Sequence, residues 1–174
     1  MNAKDSDGVV SGRKRTRTER TSERELVVTR SFDASPHIVF KAWTTPELFM
    51  RWWAPKSFGI TLLSCEMDVR TGGTYRLEFG HPSFDQPMAF HGKYIEVVPD
   101  TRLVWTNEEE DEGSVTTATF EARGAETLVI VHDLYPSKDA LDAAIASGST
   151  GAYPEQFEEL DAILAGLGEE TGQP

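Results

Sequence analysis

Apolar and polar positions follow two periods along this chain. Residues 25–32, ELVVTRSF, are β-branched and apolar and predict a first strand. The next stretch, DASPHIVFKAW, switches to helical spacing. Val39, Phe40 and Trp43 recur on one face, behind Ser35 as N-cap and Pro36 as first helical residue. Thr45-Pro46 repeats that start signal for a second short helix, PELFMRWW, and Pro55 ends it. From 58 to 135 the pattern is strand after strand. Turn signals separate them at Gly72-Gly73, His81-Pro82, Pro99-Asp100, the acidic run 108–113 and Arg123-Gly124. No intervening segment is long enough for a parallel crossover, so about six antiparallel strands joined by hairpins are expected here.

The buried face sets the register of one hairpin. A two-residue Gly72-Gly73 loop would set Tyr75 against Arg70 and Leu77 against Asp68, mixing apolar and charged side chains. A three-residue loop with Gly73 left-handed pairs Tyr75 with Val69, Leu77 with Met67 and Phe79 with Cys65, and is the expected form. A two-residue Gly124-Ala125 loop puts Thr117 opposite His132. SKDALDAAIASG then reads as a short helix capped by Ser137 and stopped at Gly148. In the last segment Tyr153, Phe157, Leu160, Leu164 and Leu167 form one apolar stripe, with Glu155, Glu158, Glu159 and Asp161 between them. An antiparallel sheet with one open face and an amphipathic helix at its end predict an α+β fold in which the sheet wraps the helix.

Composition narrows the field further. At 174 residues the chain holds one domain with tails. The expected division is a disordered basic tail over 1–22, a folded domain over 23–167 and a flexible tail over 168–174. Residues 1–24 hold seven Lys/Arg against four acids, a balance of +3, and the remainder holds ten against twenty-five, a balance of −15. A body so acidic repels phosphate backbones, so nucleic acid is not an expected partner of the folded domain. The longest apolar runs fall far short of the roughly 20 residues of a membrane span, and no apolar core of a secretory signal follows the first methionine. A single cysteine, Cys65, offers neither an internal disulfide nor a Cys-rich metal site. Cytoplasmic location is the default expectation, with no metal and no cofactor.

Several segments together carry a resemblance. They are Trp43-Thr-Thr-Pro46-Glu47-Leu48 ahead of Trp52-Trp53, Asp68-x-Arg70-x-Gly72-Gly73, HGKYIEVVPDTRLVWT, and Thr127-Leu-x-Ile-x-His132 ahead of the terminal ELDAILAGL. Over about residues 25–167 the chain resembles the AHSA1-like (activator of Hsp90 ATPase homologue) branch of the SRPBCC, or START/Bet v 1-like, superfamily. The resemblance implies a helix-grip fold: a strand, two short helices, six strands and a long C-terminal helix across the concave sheet. It also implies an apolar ligand cavity between sheet and helix. One departure is Gly151-Ala152-Tyr153-Pro154, where many relatives start the last helix with Gly-Trp or Gly-Met.

Signatures of hydrolases, zincins, phosphate loops and dinucleotide folds are missing. His132 is the leading polar candidate. If Leu128, Ile130 and Leu134 face the cavity, so does His132, as hydrogen-bonding group or general base, with Thr117 beside it. The opposite parity, with Val129 and Val131 inward, expels it. The plainer account is a structural histidine. His91 and Tyr94 lie on opposite strand faces, so at most one of them reaches the pocket. Glu66 and Asp68 fall outside with Arg70 as a solvated ion-pair ladder, and EEEDE at 108–112 reads as a solvated hairpin tip. The expected ligand-binding set is Trp53, Met67, Tyr75, Leu77, Phe79, His91, Trp105, Thr117, His132, Tyr153 and Phe157. Three functions compete. The first is a carrier or sensor of an apolar or aromatic small molecule. The second is a cyclase- or hydrolase-type enzyme acting on an aromatic or polyketide-like substrate, with His132 as base. The third is a chaperone-associated interaction domain. Nothing in the sequence sets oligomeric state, and a homodimer is compatible with it.

Overall fold

The alternation in ELVVTRSF is realised as a strand, β2 (Glu25–Phe32), whose Leu26, Val28, Arg30 and Phe32 are all buried. The computed structural model describes residues 16–54, 57, 59–83, 85–108 and 113–171. Pro55, most of the acidic run and the ends of both expected tails lie outside that set. Within it, β1 (Arg17–Arg20) precedes β2, and α1 (Pro36–Thr44) and α2 (Pro46–Trp52) follow it. Six strands come next: β3 (Thr61–Met67), β4 (Thr74–Gly80), β5 (Met88–Val98), β6 (Arg102–Thr106), β7 (Val115–Arg123) and β8 (Glu126–Leu134). The chain closes with α3 (Lys138–Ser147), a 3₁₀ turn (Ser149–Ala152) and α4 (Tyr153–Thr171). The strands form one curved antiparallel sheet in the order β1-β2-β8-β7-β6-β5-β4-β3. This is the helix-grip architecture.

Two expected boundaries move. Arg17–Arg20 pair with Leu26–Thr29 as an edge strand, so ordered structure begins before residue 23. Helix α4 runs on through Thr171 rather than ending at 167. The helix starts also work differently from expectation. Neither Ser35 nor Thr45 places its side-chain oxygen on an N–H, and the start signal acts through extended backbone at the cap and proline after it. Ser137 does cap, accepting from the Ala140 N–H at 3.0 Å, and Gly148, at φ 84°, stops α3.

The β3–β4 hairpin departs in register. Met67 pairs with Tyr75, Cys65 with Leu77 and, across a bulge, Leu62 with Phe79. The loop is therefore longer than three residues, and its left-handed residue is Gly72 (φ 91°), not Gly73. The cause is lateral. The loop docks on β5, where the Gly72 N–H donates to the Tyr94 carbonyl and the Tyr94 N–H to the Gly73 carbonyl, both at 2.8 Å. Gly73 is constrained by proximity, since a Cβ there would sit 1.9 Å from the Asp68 carbonyl oxygen. A slip of two residues preserves side-chain faces, so Tyr75, Leu77 and Phe79 still point inward.

The apolar stripe of α4 buries Phe157, Leu160, Ile163 and Leu164 against β2, α1 and α2. Phe157 is the hub. Its ring lies 5.4 Å from those of Phe32 and Tyr153 and 6.3 Å from those of Trp43 and Trp52. Trp52 Nε1 donates to the Ala42 carbonyl at 3.1 Å, locking α2 onto α1. Buried Arg30 ties β2 to the helix, donating to the Phe157 carbonyl at 2.8 Å and facing Asp161 at 3.4 Å. Replacing Phe157 by Ala removes the hub, with an expected loss of about 3–5 kcal/mol in urea unfolding. A loss under about 1 kcal/mol would show that α4 is not held by this contact.

Candidate functional site

The sheet is wider than the stripe that covers it. Phe157 fills the space under α4, so the open volume lies beside the start of that helix, beneath α3. It is a cleft of about 570 Å³. Its floor is laid by successive strands through Phe79, Phe90, Trp105, Thr116 and Asp133. Its roof is the face of α3 carrying Ala140, Ala143, Ala144 and Ser147. Those positions recur at i, i+3, i+4 and i+7, so one helix face bears only small side chains and stands off the sheet. Trp53, Tyr153 and Gln156 close one side, and Gln156 donates to the Trp53 carbonyl. A smaller apolar recess of about 60 Å³ adjoins the cleft, sharing Trp53, Phe90, Trp105 and Asn107 with it.

One polar chain crosses this aromatic space. Asn107 Nδ2 donates to Thr116 Oγ1 at 3.2 Å, and Thr116 Oγ1 donates to Asp133 Oδ1 at 2.6 Å. The Tyr153 hydroxyl hydrogen-bonds the same carboxylate. Burial pushes the Asp133 carboxyl up to about 6, against the opposing pull of the Thr116 and Tyr153 bonds and of His132 on the other face. Burial and the neighbouring carboxylate hold the Tyr153 phenol well above its ordinary range. Tyr75 turns its hydroxyl to the Thr106 carbonyl at 2.7 Å.

Seven of the expected residues sit at this space. Trp53, Phe79, Trp105 and Tyr153 line the cleft, while Met67, Tyr75 and Leu77 line the recess, where Trp53 and Trp105 recur. Four do not. His91 is exposed on β5 opposite Arg76, on the face away from Tyr94. Phe157 is fully buried in the core contact just described. His132 and Thr117 are paired as expected, but both lie on the outer face of the sheet. Inward positions on β8 are Thr127, Val129, Val131 and Asp133. The cross-strand partners impose that parity, because Val131 sits between Val28 and Ala118, and Val129 beside Phe120. His132 Nε2 instead meets Glu25 Oε2 at 2.8 Å, and this contact holds the Glu25 carboxyl below its usual value.

The polar chain of the cleft is thus Asp133, Thr116 and Asn107, set beneath the small-residue face of α3. The signal was present: with Thr117 opposite His132, an inward Phe120 on β7 forces Asp133 inward. Cys65 is half-buried, and burial with Glu47 nearby pushes its thiol up to about 11, away from nucleophilic use. Asp68 stays outside, bonded to Arg70 Nε at 2.9 Å. Among the described residues no group of three or more His, Cys, Asp or Glu could hold a metal ion, and no helix is long and apolar enough to cross a membrane.

Comparison with known proteins gives a consistent picture. The family model described as "Activator of Hsp90 ATPase homolog 1-like protein" matches residues 33–165. None of the curated proteins matches. Among solved structures, a Rhodobacter sphaeroides protein is similar at 24% identity and TM-score 0.79, covering 87% of this chain and 99% of its own. A Nitrosomonas europaea protein is similar at 18% identity and TM-score 0.76, covering 87% and 99%. An AHSA1-like protein from Aeromonas hydrophila is similar at 19% identity and TM-score 0.64, covering 79% and 93%. At these identities the structural likeness speaks to fold alone.

The site carries a stability signature. A carboxyl whose folded pKa is raised stabilises the fold only below its unfolded pKa, and that contribution is lost as pH rises through about 6. Asp133→Asn is therefore expected to be more stable than the parent at neutral pH by roughly 1–3 kcal/mol, with the gap closing near about pH 4. Thermal or urea unfolding across that range checks it. A gap that is constant with pH, or of opposite sign, would contradict the burial of this charge.

Proposed function

Because the chain belongs to the activator of Hsp90 ATPase homologue 1-like family, within the SRPBCC (START/Bet v 1-like) superfamily, we propose that it binds an aromatic or otherwise apolar small molecule as a carrier or sensor. The observation that carries this reading is the open cleft of about 570 Å³, which sets the rings of Trp53, Phe79, Phe90 and Trp105 beside polar side chains that include the Asn107–Thr116–Asp133 chain. Small-molecule sites run to roughly 300–1,000 Å³ and combine apolar walls with a few placed polar groups. The aromatic faces supply area, and the Asn107–Thr116–Asp133 chain supplies orientation.

Catalysis by the route the sequence suggested loses its base, since His132 lies on the far face of the sheet, bonded to Glu25. Among the described residues lining the cleft, no histidine, lysine or cysteine takes its place. The carboxyl that the described cleft lining does hold, Asp133, is read here as a group that orients a ligand.

Nile red, a neutral polarity-sensitive dye, is expected to bind saturably at one per chain and to be displaced by naphthalenemethanol. Ala144→Phe, which inserts a ring from the α3 roof, is expected to weaken that binding about tenfold or more while leaving the melting temperature within a few degrees. Non-saturable dye binding, or full affinity in the filled variant, would contradict the proposal.

A further inference from the structure

The cleft is electrostatically one-sided. Its described lining holds one carboxylate, Asp133, and no lysine, arginine or histidine. That carboxylate is 6% exposed, and the basic residue beside it on β8, His132, points to the opposite face of the sheet. A carboxylate offers about four acceptor positions, and the bonds from Thr116 and Tyr153 occupy two of them. Trp53, Phe79, Phe90 and Trp105 stand around the same volume with π faces and edges. An organic anion entering here would lose its hydration and meet a like charge with no counter-ion. A protonated amine would meet a buried carboxylate, and the indole faces attract cations.

Helix ends do not reverse this balance. The N-terminus of α4 at Tyr153 brings partial positive charge to the rim, and the C-terminal turn of α3 at Ser147 brings partial negative charge to it. Each is worth about half a charge, and they oppose one another, whereas Asp133 carries a whole one. The protein's net charge of −12 acts in the same direction at longer range, concentrating cations near the surface and repelling anions.

Resting on the ligand-binding reading above, we propose that the cleft is selective for aromatic amines. The protonated nitrogen donates to the free acceptor positions of Asp133, and the ring system lies among Trp53, Phe79, Phe90 and Trp105. The ligand class is then a flat lipophilic cation rather than a fatty acid or an aromatic acid. A bound ammonium favours the ionised form of Asp133 and so opposes the upward push that burial gives its carboxyl.

Calorimetric titration of the full chain with three ligands of one ring system tests this: naphthylmethylammonium, naphthalenemethanol and naphthoate. The ammonium is expected to bind about tenfold or more tightly than the alcohol, and naphthoate more weakly than the alcohol. Asp133→Asn is expected to abolish the preference, bringing the ratio of ammonium to alcohol affinity in that variant to about one. If the alcohol binds and the ammonium binds no better, or naphthoate binds best, charge selectivity is overturned and the cleft remains a neutral apolar site. An ammonium preference that survives in Asp133→Asn also overturns it. If none of the three binds, the ligand-binding reading itself falls.

Discussion

Side-chain parity on β8 is the constraint from which the site follows. The strand is apolar on both faces, with Leu128, Ile130 and Leu134 on one and Val129 and Val131 on the other, so its own pattern leaves its orientation undetermined. Its neighbours decide. Val28 and Phe32 of β2 and Ala118 and Phe120 of β7 are buried, and antiparallel pairing places Val131 and Val129 among them. At the strand's start, Thr127 Oγ1 donates to the Ala34 carbonyl at 2.6 Å, a buried bond that anchors the same parity. Once it is set, the next inward residue is Asp133, and a charge has been placed beneath the sheet's covering layer.

That covering layer explains why space remains. Helix α4 meets the sheet with large residues and packs its part of the concave face through buried Phe157, Leu160 and Leu164. Helix α3 meets it with three alanines and a serine, which fill little of the gap beneath them. A long stripe seals and a short, small-residue face leaves room. The desolvation of Asp133 follows from being roofed without being packed, and the bonds from Thr116 and Tyr153 offset only part of the cost.

Much of the architecture was legible in the residues because period and punctuation agree. The starts at Pro36 and Pro46, the stop at Gly148, the Gly124-Ala125 turn and the α4 stripe all stand where the pattern places them. The β3–β4 register slipped by two because its loop bonds sideways to β5, a contact no local pattern encodes. The apolar half of the site was legible for a related reason: Tyr75, Leu77 and Phe79 share a face in either register. The polar half stays open in the sequence because β8 alone allows both parities, and the deciding signal is Phe120 across the hairpin. The α3 roof is not legible in the sequence because alanines mark helix as readily as cavity, and only the tertiary standoff separates the two.

Amide chemical-shift mapping during titration with naphthalenemethanol tests the central claim most directly, since it reports where a ligand sits without presupposing its charge. The account predicts that perturbations concentrate at Ala140 and Ala144 on α3, at Thr116 and Asp133, and at the indole N–H groups of Trp53 and Trp105. Perturbations concentrated instead at Thr117, His132 and Glu25 on the outer face, with the cleft residues unmoved, would contradict it.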